Sequence, residues 1–408
     1  MAAGTLQPVI LGADIAAYSL ARAFHEAYGI TSISLSTNDI KYVSSSRFID
    51  HRTVPALEDE DRLIETLVGL ARDLGGAKQL IVLGCGDWYI RHLSRHKGEL
   101  EQAGYLVPYI DFDLLDRITL KDEFYADCAR LGVDYPTTWV FDCADPTVVI
   151  PADDFTYPVV AKPSNTARYH YASFPGKKKA FIVKSADELR TIFAHLQAST
   201  YDKQLIVQDF IPGGDDNMRV LTCYGDESGE VTLAAFGRVL QEDHGIMAIG
   251  NPIVIVNERS DAVVAQAARL MKDWGYHGFA NFDIKYDPRD GTYRFFEVNT
   301  RLGRSNYYVT GAGTNVVSWL VDDLVLHRPA PKTMVVVDEE HLFSCLPAYV
   351  IRRTVGDRAQ VGRAMRLMRT GKWSFPLWYA RDGWRQRFWA TLTFYNRIPK
   401  YWRERRAG

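Results

Sequence analysis

Between Asn281 and Arg304 the chain reads NFDIKYDPRDGTYRFFEVNTRLGR, which packs carboxylates, amides and guanidinium groups into a short stretch. Residues 287–291, Asp-Pro-Arg-Asp-Gly, are a turn cluster of the kind that closes a β-hairpin. Before the turn, alternation puts Phe282, Ile284 and Tyr286 on one face and Asn281, Asp283 and Lys285 on the other. After it, Phe296 and Val298 share a face, and Glu297 and Asn299 share the opposite one. Such a hairpin can bring Asp283, Glu297 and Asn299 together. Two carboxylates and an amide oxygen are hard ligands of the kind Mg²⁺ takes when water and nucleotide phosphates fill its other positions. Arg301 and Arg304 follow, fixed positive charges where a phosphoryl group carried by that metal would sit. The plain alternative is a half-exposed hairpin with a solvated polar face, and the rest of the chain has to decide between the two.

The elements around this stretch read as alternating strands and helices. Gln7 to Leu11 is a short apolar strand, a helical pattern runs through Ala16, Leu20 and Phe24 to Gly29, and a second strand covers Ser32 to Leu35. The turn Gly12-Ala13-Asp14-Ile15-Ala16-Ala17 lacks the G-x-G-x-x-G of a dinucleotide site, so no nicotinamide or flavin cofactor is expected. A helix over Asp59 to Leu74 and a strand over Gln79 to Leu83 follow, closed by the loop Gly84-Cys85-Gly86-Asp87.

A helix from about Lys121 to Leu131 stops at Gly132 and leads through Pro136 into a strand. Lys121 at its start opposes the helix dipole, which calls for a compensating anion. In YPVVAKP, residues 157–163, Lys162 ends an apolar strand and needs a partner, for which a nucleotide phosphate is one candidate. Residues 164–179 form a polar loop that turns basic at Lys177, Lys178 and Lys179. QLIVQDFIPGG, residues 204–214, is a strand ending in a Pro-Gly-Gly hinge suited to an adenine edge, with Asp215 and Asp216 within reach of a ribose. Strands over Asn217 to Tyr224 and Val231 to Leu240 present Arg219 and Arg238, a glycine-rich loop spans Gln241 to Pro252, and a helix covers Asp261 to Trp274.

Composition narrows the class. The chain has 408 residues, 47% hydrophobic and 24% charged, enough for a large core in two or three domains. Five well-separated cysteines show no metal or CxxC spacing, which points to a reducing compartment. No basic-then-apolar leader pattern opens the chain and no apolar run approaches the ~18 residues of a spanning helix, so a cytoplasmic protein is expected. From Arg352 onward there are 15 Lys or Arg against 3 Asp or Glu, leaving 33 against 47 before it. The segment 352–408 also holds eleven aromatics, so it suits either an anionic membrane surface or packing against the acidic body. That acidic body argues against nucleic acid as a partner.

Lys121 with Gly132 and Pro136, the Lys162 strand, QDFIPGG, FDIKYDPRDG and FFEVNTRLG follow one another in the order and spacing of the ATP-grasp superfamily, which the chain resembles from about Asp116 to Leu326. KDEFYADCARLGVDYPTTWV and VILGADIAAYSLARAFHEAYG are most similar to carboxylate–amine ligases of the D-aspartate ligase kind. The resemblance implies an α/β fold in which two α+β subdomains, about 116–205 and 206–330, clasp ATP. A Rossmann-like α/β domain over 1–115 would precede them, and 331–408 would be a basic aromatic extension. It implies ATP with Mg²⁺, or Mn²⁺ in its place, and a carboxylate and an amine as small-molecule substrates joined through an acyl phosphate. The product would be an amide such as D-aspartate on a peptidoglycan precursor, or alternatively a dipeptide or small metabolite. Carried over by position, Lys121 and Lys162 would hold the α- and β-phosphates. Gln208, Asp209, Phe210 and Ile211 would line the adenine slot, and Asp215 or Asp216 would bind ribose. Asp283, Glu297 and Asn299 would hold the metal, and Arg301, Arg238 and Arg304 would stabilise the transferring phosphoryl group. The hinge departs from the common pattern in carrying Gln208 for glutamate and Asp209 for lysine. A homo-oligomer is compatible with all of this.

Overall fold

The computed structural model describes residues 6–76, 78–164, 169, 171–178, 180–244 and 250–407. Of the basic loop 164–179, residues 165–168, 170 and 179 lie outside the described residues. So do 245–249 of the glycine-rich loop and the side chains of Lys400, Tyr401 and Arg403.

The apolar runs at the start of the chain become the strands β1 (Leu6–Leu11), β2 (Ser32–Ser36), β3 (Ile49–Thr53), β4 (Gln79–Gly84) and β5 (Tyr105–Leu106), a parallel sheet in the order β3-β2-β1-β4-β5. The helices α1 (Ile15–Tyr28), α2 (Lys41–Ser44), α3 (Glu60–Leu74), α4 (Asp87–Arg95) and α5 (Lys97–Gln102) connect them. In α1, the Asp14 carboxylate accepts the Ala16 and Ala17 N–H groups, and Gly29 ends the helix at φ 67°, a left-handed conformation that glycine adopts at no steric cost. Fully buried Val9, Ile10 and Leu11 show why β1 reads as a continuous apolar run: a parallel sheet is covered on both faces.

After α6 (Phe112–Ile118) come α7 (Lys121–Leu131), β6 (Thr138–Asp142), β7 (Val159–Pro163), β8 (Phe181–Val183), α8 (Ala186–Gln197) and β9 (Gln204–Asp209), with the four strands in the order β6-β9-β7-β8. Val159, Ala161, Leu189, Leu196 and Val207 form the centre of their own core. A larger sheet follows, built from β10 (Met218–Gly225), β11 (Val231–Asp243), β12 (Asn251–Glu258), β13 (Gly278–Asp287), β14 (Thr292–Asn299), β15 (Val335–Val337), β16 (Leu342–Ser344) and β17 (Trp373–Ser374). Its order is β14-β13-β10-β11-β12-β16-β17, with β15 beside β11. The helices of this part are α9 (Asp261–Trp274), α10 (Tyr307–Gly311), α11 (Val316–Leu324), α12 (Ala348–Thr354), α13 (Arg358–Arg369) and α14 (Trp384–Ala407). The chain divides into two compact units. The first comprises Met1–Asp116, Gly214–Ile284 and Val298–Gly408, and the second Arg117–Gly213 with Lys285–Glu297.

Two local expectations change. The glycine-rich loop is shorter than 241–252, because the β11–β12 ladder continues past an irregularity at Gln241 to pair Glu242 with Pro252 and Asp243 with Asn251. On β14 the fully buried aromatic is Phe295, whose N–H donates to the Asp134 carbonyl at 2.8 Å, while Phe296 is half-buried. Alternation alone assumes one covered face, and the segment after α7 covers the other as well.

Within the first unit, the basic aromatic segment is anchored by the buried carboxylate of Asp382. The Asp382 carboxylate accepts Tyr18 Oη at 2.9 Å, Ser46 Oγ at 2.8 Å, and the backbone N–H groups of Arg47 and Gly383. Arg22 donates to the Pro376 and Trp378 carbonyls and lies over the Tyr379 ring, and Phe375, Leu377 and Ala390 are buried around it. Asp382→Ala would leave four donors without their acceptor. It is expected to lower unfolding stability by about 3 kcal/mol, read by urea denaturation, and Asp382→Asn by less because the amide oxygen still accepts. A change below about 0.5 kcal/mol for the alanine variant would show that this carboxylate does not anchor the segment.

Candidate functional site

In the second unit, three predicted residues come together. Lys121 is the first residue of α7, and Leu120 before it supplies no side-chain cap. The anion beside Lys121 is Glu297, with Nζ to Oε2 at 2.6 Å. Lys162 sits in β7 between buried Ala161 and Pro163, opposite Ile206 of β9. Its ammonium makes no hydrogen bond or ion pair among the described residues and faces the Phe296 ring at 6.0 Å. Burial pushes its pKa down to about 7, and the charge of Lys121 adds to that, while Glu297 acts the other way. A cation left this short of partners favours an arriving anion.

The hinge residues are pinned from within the same unit. Gln208 is buried and donates Nε2 to Thr138 Oγ1 at 2.7 Å, which turns its side chain into the fold. The Asp209 N–H donates to the Thr137 carbonyl, and the Ile211 carbonyl accepts Lys285 Nζ at 2.9 Å, with Lys285 also 5.7 Å from the Phe210 ring. A hydrogen-bonded strand end and a tethered Ile211 hold the segment 208–211 in place.

In the first unit, Asp283 and Asn299 lie side by side on β13 and β14, with Asn299 Nδ2 at 3.2 Å from Asp283 Oδ2. Asn281 steadies them by donating to Asp283 at 3.5 Å while its own oxygen accepts Thr222 Oγ1 at 3.0 Å. Gly303 is required here, since a Cβ at that position would stand 2.9 Å from Asn281 Oδ1. A carboxylate beside a carboxamide offers the oxygen donors that suit Mg²⁺. Among the described residues no three His, Cys, Asp or Glu side chains cluster as a metal site.

The arginines each have an acidic neighbour. Arg301 donates Nε to Asp87 at 2.7 Å and Nη1 to the Leu302 carbonyl, and Arg304 lies 3.4 Å from Asp14. Asp14 and Asp87 follow the carboxyl ends of β1 and β4, where open parallel sheets place their ligands. Arg238 is directed elsewhere, to Asp357 at 3.3 Å, Glu258 at 3.9 Å and the Asp216 carbonyl at 3.3 Å. Asp215 is occupied, accepting the Glu242 N–H at 3.0 Å and facing His244 Nε2 at 2.9 Å. Asp216, by contrast, uses its backbone carbonyl for Arg219 and Arg238.

Sequence reasoning passed over Lys285, Asp14 and Asp87. Lys285 was legible as a lysine on the polar face of the hairpin. Asp14 figured only in a turn lacking the dinucleotide glycines and Asp87 only at the end of a loop, and the tertiary fold brings Arg304 and Arg301 to them.

A family model, "Carbamoyl-phosphate synthase L chain, ATP binding domain", matches residues 135–318. D-aspartate ligase of Enterococcus faecium is 32% identical over 97% of this chain and 95% of its own length. Among solved structures, L-amino acid ligase from Bacillus licheniformis superposes with a TM-score of 0.54 at 14% identity, covering 78% of this chain and 73% of that one. The biotin carboxylase domain of Hydrogenobacter thermophilus 2-oxoglutarate carboxylase, determined with MgADP, gives 0.56 at 16%, covering 80% and 71%.

The Lys162 environment has a pH signature. A base whose pKa is lowered in the folded state destabilises the fold most below that pKa, and the cost fades as pH rises from about 7 toward the ordinary lysine value of 10.5. Lys162→Met removes the charge and keeps the apolar stem. The variant is therefore expected to be more stable than the parent, with an advantage about 2–3 kcal/mol larger at pH 6 than at pH 9 in urea titrations. An advantage independent of pH would show that Lys162 titrates normally.

Proposed function

Because the chain belongs to the ATP-grasp ligases, in the family of D-aspartate ligase, we propose that it joins an amino acid such as D-aspartate to the amine of a peptidoglycan precursor. As a member of that family it is an ATP- and Mg²⁺-dependent carboxylate–amine ligase. The observation that carries the site assignment is Lys162, a half-buried cation with no polar partner among the described residues, set beside Lys121 and Glu297.

In this reading Lys121 and Lys162 take the α- and β-phosphates, and an adenine edge is read by the Asp209 carbonyl and the Ile211 N–H. Asp216 takes the ribose, because the Asp215 carboxylate is already held by Glu242 and His244. Asp283, Glu297 and Asn299 hold Mg²⁺, which draws charge off the phosphates when bound. Phosphate oxygens would give Lys121 the negative charge that Glu297 supplies here, and Glu297 would be left free to help hold Mg²⁺.

Arg301 and Arg304 balance charge at the transferring phosphoryl group, and Arg238 steadies Asp216 rather than touching the reacting atoms. The γ-phosphoryl passes to a carboxylate oxygen as the bond to ADP breaks. The amine then attacks the acyl carbon, phosphate leaves with the C–O bond, and the nitrogen loses a proton. The chemistry needs positioning and charge rather than an activated protein nucleophile.

The domain limits 1–115, 116–330 and 331–408, a cytoplasmic location, peripheral contact of 352–408 with an anionic membrane and a homo-oligomer belong to the same proposal. No described helix is long and apolar enough to cross a membrane.

Screening amino acids one at a time, D-aspartate first, against candidate amines for ADP release tests the reaction. A dipeptide product would show instead as turnover with two free amino acids, and no ADP release with any pair would remove the substrate assignment. Glu297→Ala and Asp283→Asn are each expected to lower Mg²⁺-dependent ADP formation at least about 100-fold, with the circular dichroism spectrum unchanged. Normal turnover by either folded variant would remove that residue from the metal set.

A further inference from the structure

The helix α14 carries an exposed apolar stripe that the ligase reaction does not use. Trp384, Phe388, Leu392 and Tyr395 are 70%, 56%, 37% and 58% exposed, although they are among the most apolar side chains of the segment. At ~100° per residue they fall within an arc of about 80° on one face of the helix. The opposite face is the one that packs, through Gln386, whose Nε2 donates to the Leu377 carbonyl at 2.7 Å, and through buried Ala390. Beside the stripe is a groove of about 560 Å³ lined by Trp373, Phe375, Trp378, Phe394 and Tyr395, with the Trp378 indole 47% exposed.

The charges around this face differ from those earlier in the basic segment. On α13 and just after it, Arg363 pairs with Glu258 and Glu340, Arg366 with Glu340, and Lys372 with Glu339. Arg381, Arg385 and Arg387 form no ion pair among the described residues, and no acidic residue lies between Asp382 and Glu404. Asp382 itself is buried and committed to Tyr18 and Ser46. Carboxylates of the fold thus neutralise Arg363 and Arg366 of α13, while Arg381, Arg385 and Arg387 beside the exposed face of α14 have none among the described residues.

Solvent-facing Trp, Phe and Tyr on a helix whose stretch before Glu404 carries unpaired arginines and no acid match an interfacial helix. The rings sit at headgroup depth and guanidinium groups meet lipid phosphates. We propose that the exposed face of α14, continued by Trp378 and Trp373, is a docking surface for an anionic phospholipid bilayer. This rests on the reading of 352–408 as a peripheral membrane contact and assigns that contact to one helix face. The residues lie outside the ATP and metal machinery, so docking and turnover are separable.

The test is co-sedimentation of the full chain with vesicles of phosphatidylcholine containing roughly one third phosphatidylglycerol, against vesicles of phosphatidylcholine alone, without ligase substrates. The parent is expected to pellet with the anionic vesicles only, to be released by raised salt, and to show a blue shift of tryptophan emission. The triple variant Trp384→Ser, Phe388→Ser, Tyr395→Ser should bind at least about tenfold more weakly, and Arg381→Glu with Arg385→Glu should bind more weakly and lose the salt dependence. Both variants should keep parental ADP release with soluble substrates, so a failed ligase assay leaves the vesicle result standing and the reverse also holds. If the parent stays in the supernatant at low salt, or the triple variant pellets like the parent, the proposal is overturned. It is also overturned if the parent self-associates through this face in solution and ignores vesicles.

Discussion

A cation that the fold keeps short of partners is the constraint from which the second unit is best understood. Lys162 lies on a strand whose neighbours, Val159 and Ala161, are fully buried, and its pKa falls to about 7 because burial penalises the charge. A protein gains nothing in stability by placing an ammonium there. The sheet nevertheless does so, one strand away from the hinge on β9, and sets Lys121 close enough to lower the pKa further. Glu297 offsets part of this repulsion by pairing with Lys121. In the function proposed above, the phosphates of ATP supply the missing charge.

The first unit solves the opposite problem. Arg301 and Arg304 are satisfied by Asp87 and Asp14, so their guanidinium groups are held in place before any substrate arrives. A pre-held guanidinium loses little conformational entropy when it exchanges one anion for another. Asp283 and Asn299 are likewise fixed by Asn281 and Thr222. One unit thus stores electrostatic demand and the other stores geometry.

Much of this was legible in the sequence where local rules act alone. The βαβ opening, the helix over Asp261–Trp274 and the turn at 287–291 follow from apolar periodicity, capping and turn residues, and the structure places them there. Lys121 and Lys162 could be singled out because a lysine at a helix start and one ending an apolar strand each break a local preference. What local rules could not reach were contacts made by distant segments. Phe295 is covered by the backbone after α7, Asp215 is taken by the end of β11, and Arg238 is turned toward Asp357, more than a hundred residues away. Lys285 was in view as a polar-face residue, but its grip on the Ile211 carbonyl depends on the hinge being folded beside it.

The charge asymmetry shows the same division between what composition contains and what folding allocates. Composition assigned one excess of positive charge to 352–408 and an acidic excess to the rest, and both membrane binding and internal neutralisation followed from that single observation. Folding splits the segment. Glu258, Glu339 and Glu340 are spent on Arg363, Arg366 and Lys372, and Asp382 is withdrawn into the core by Tyr18 and Ser46. Internal neutralisation thus accounts for the part of the segment that packs. The arginines of α14 lie beyond those carboxylates, alongside aromatic rings that burial has not claimed. Exposed aromatics cost hydration free energy in water and unpaired cations want an anion, and the bilayer contact proposed above would answer both features of that face.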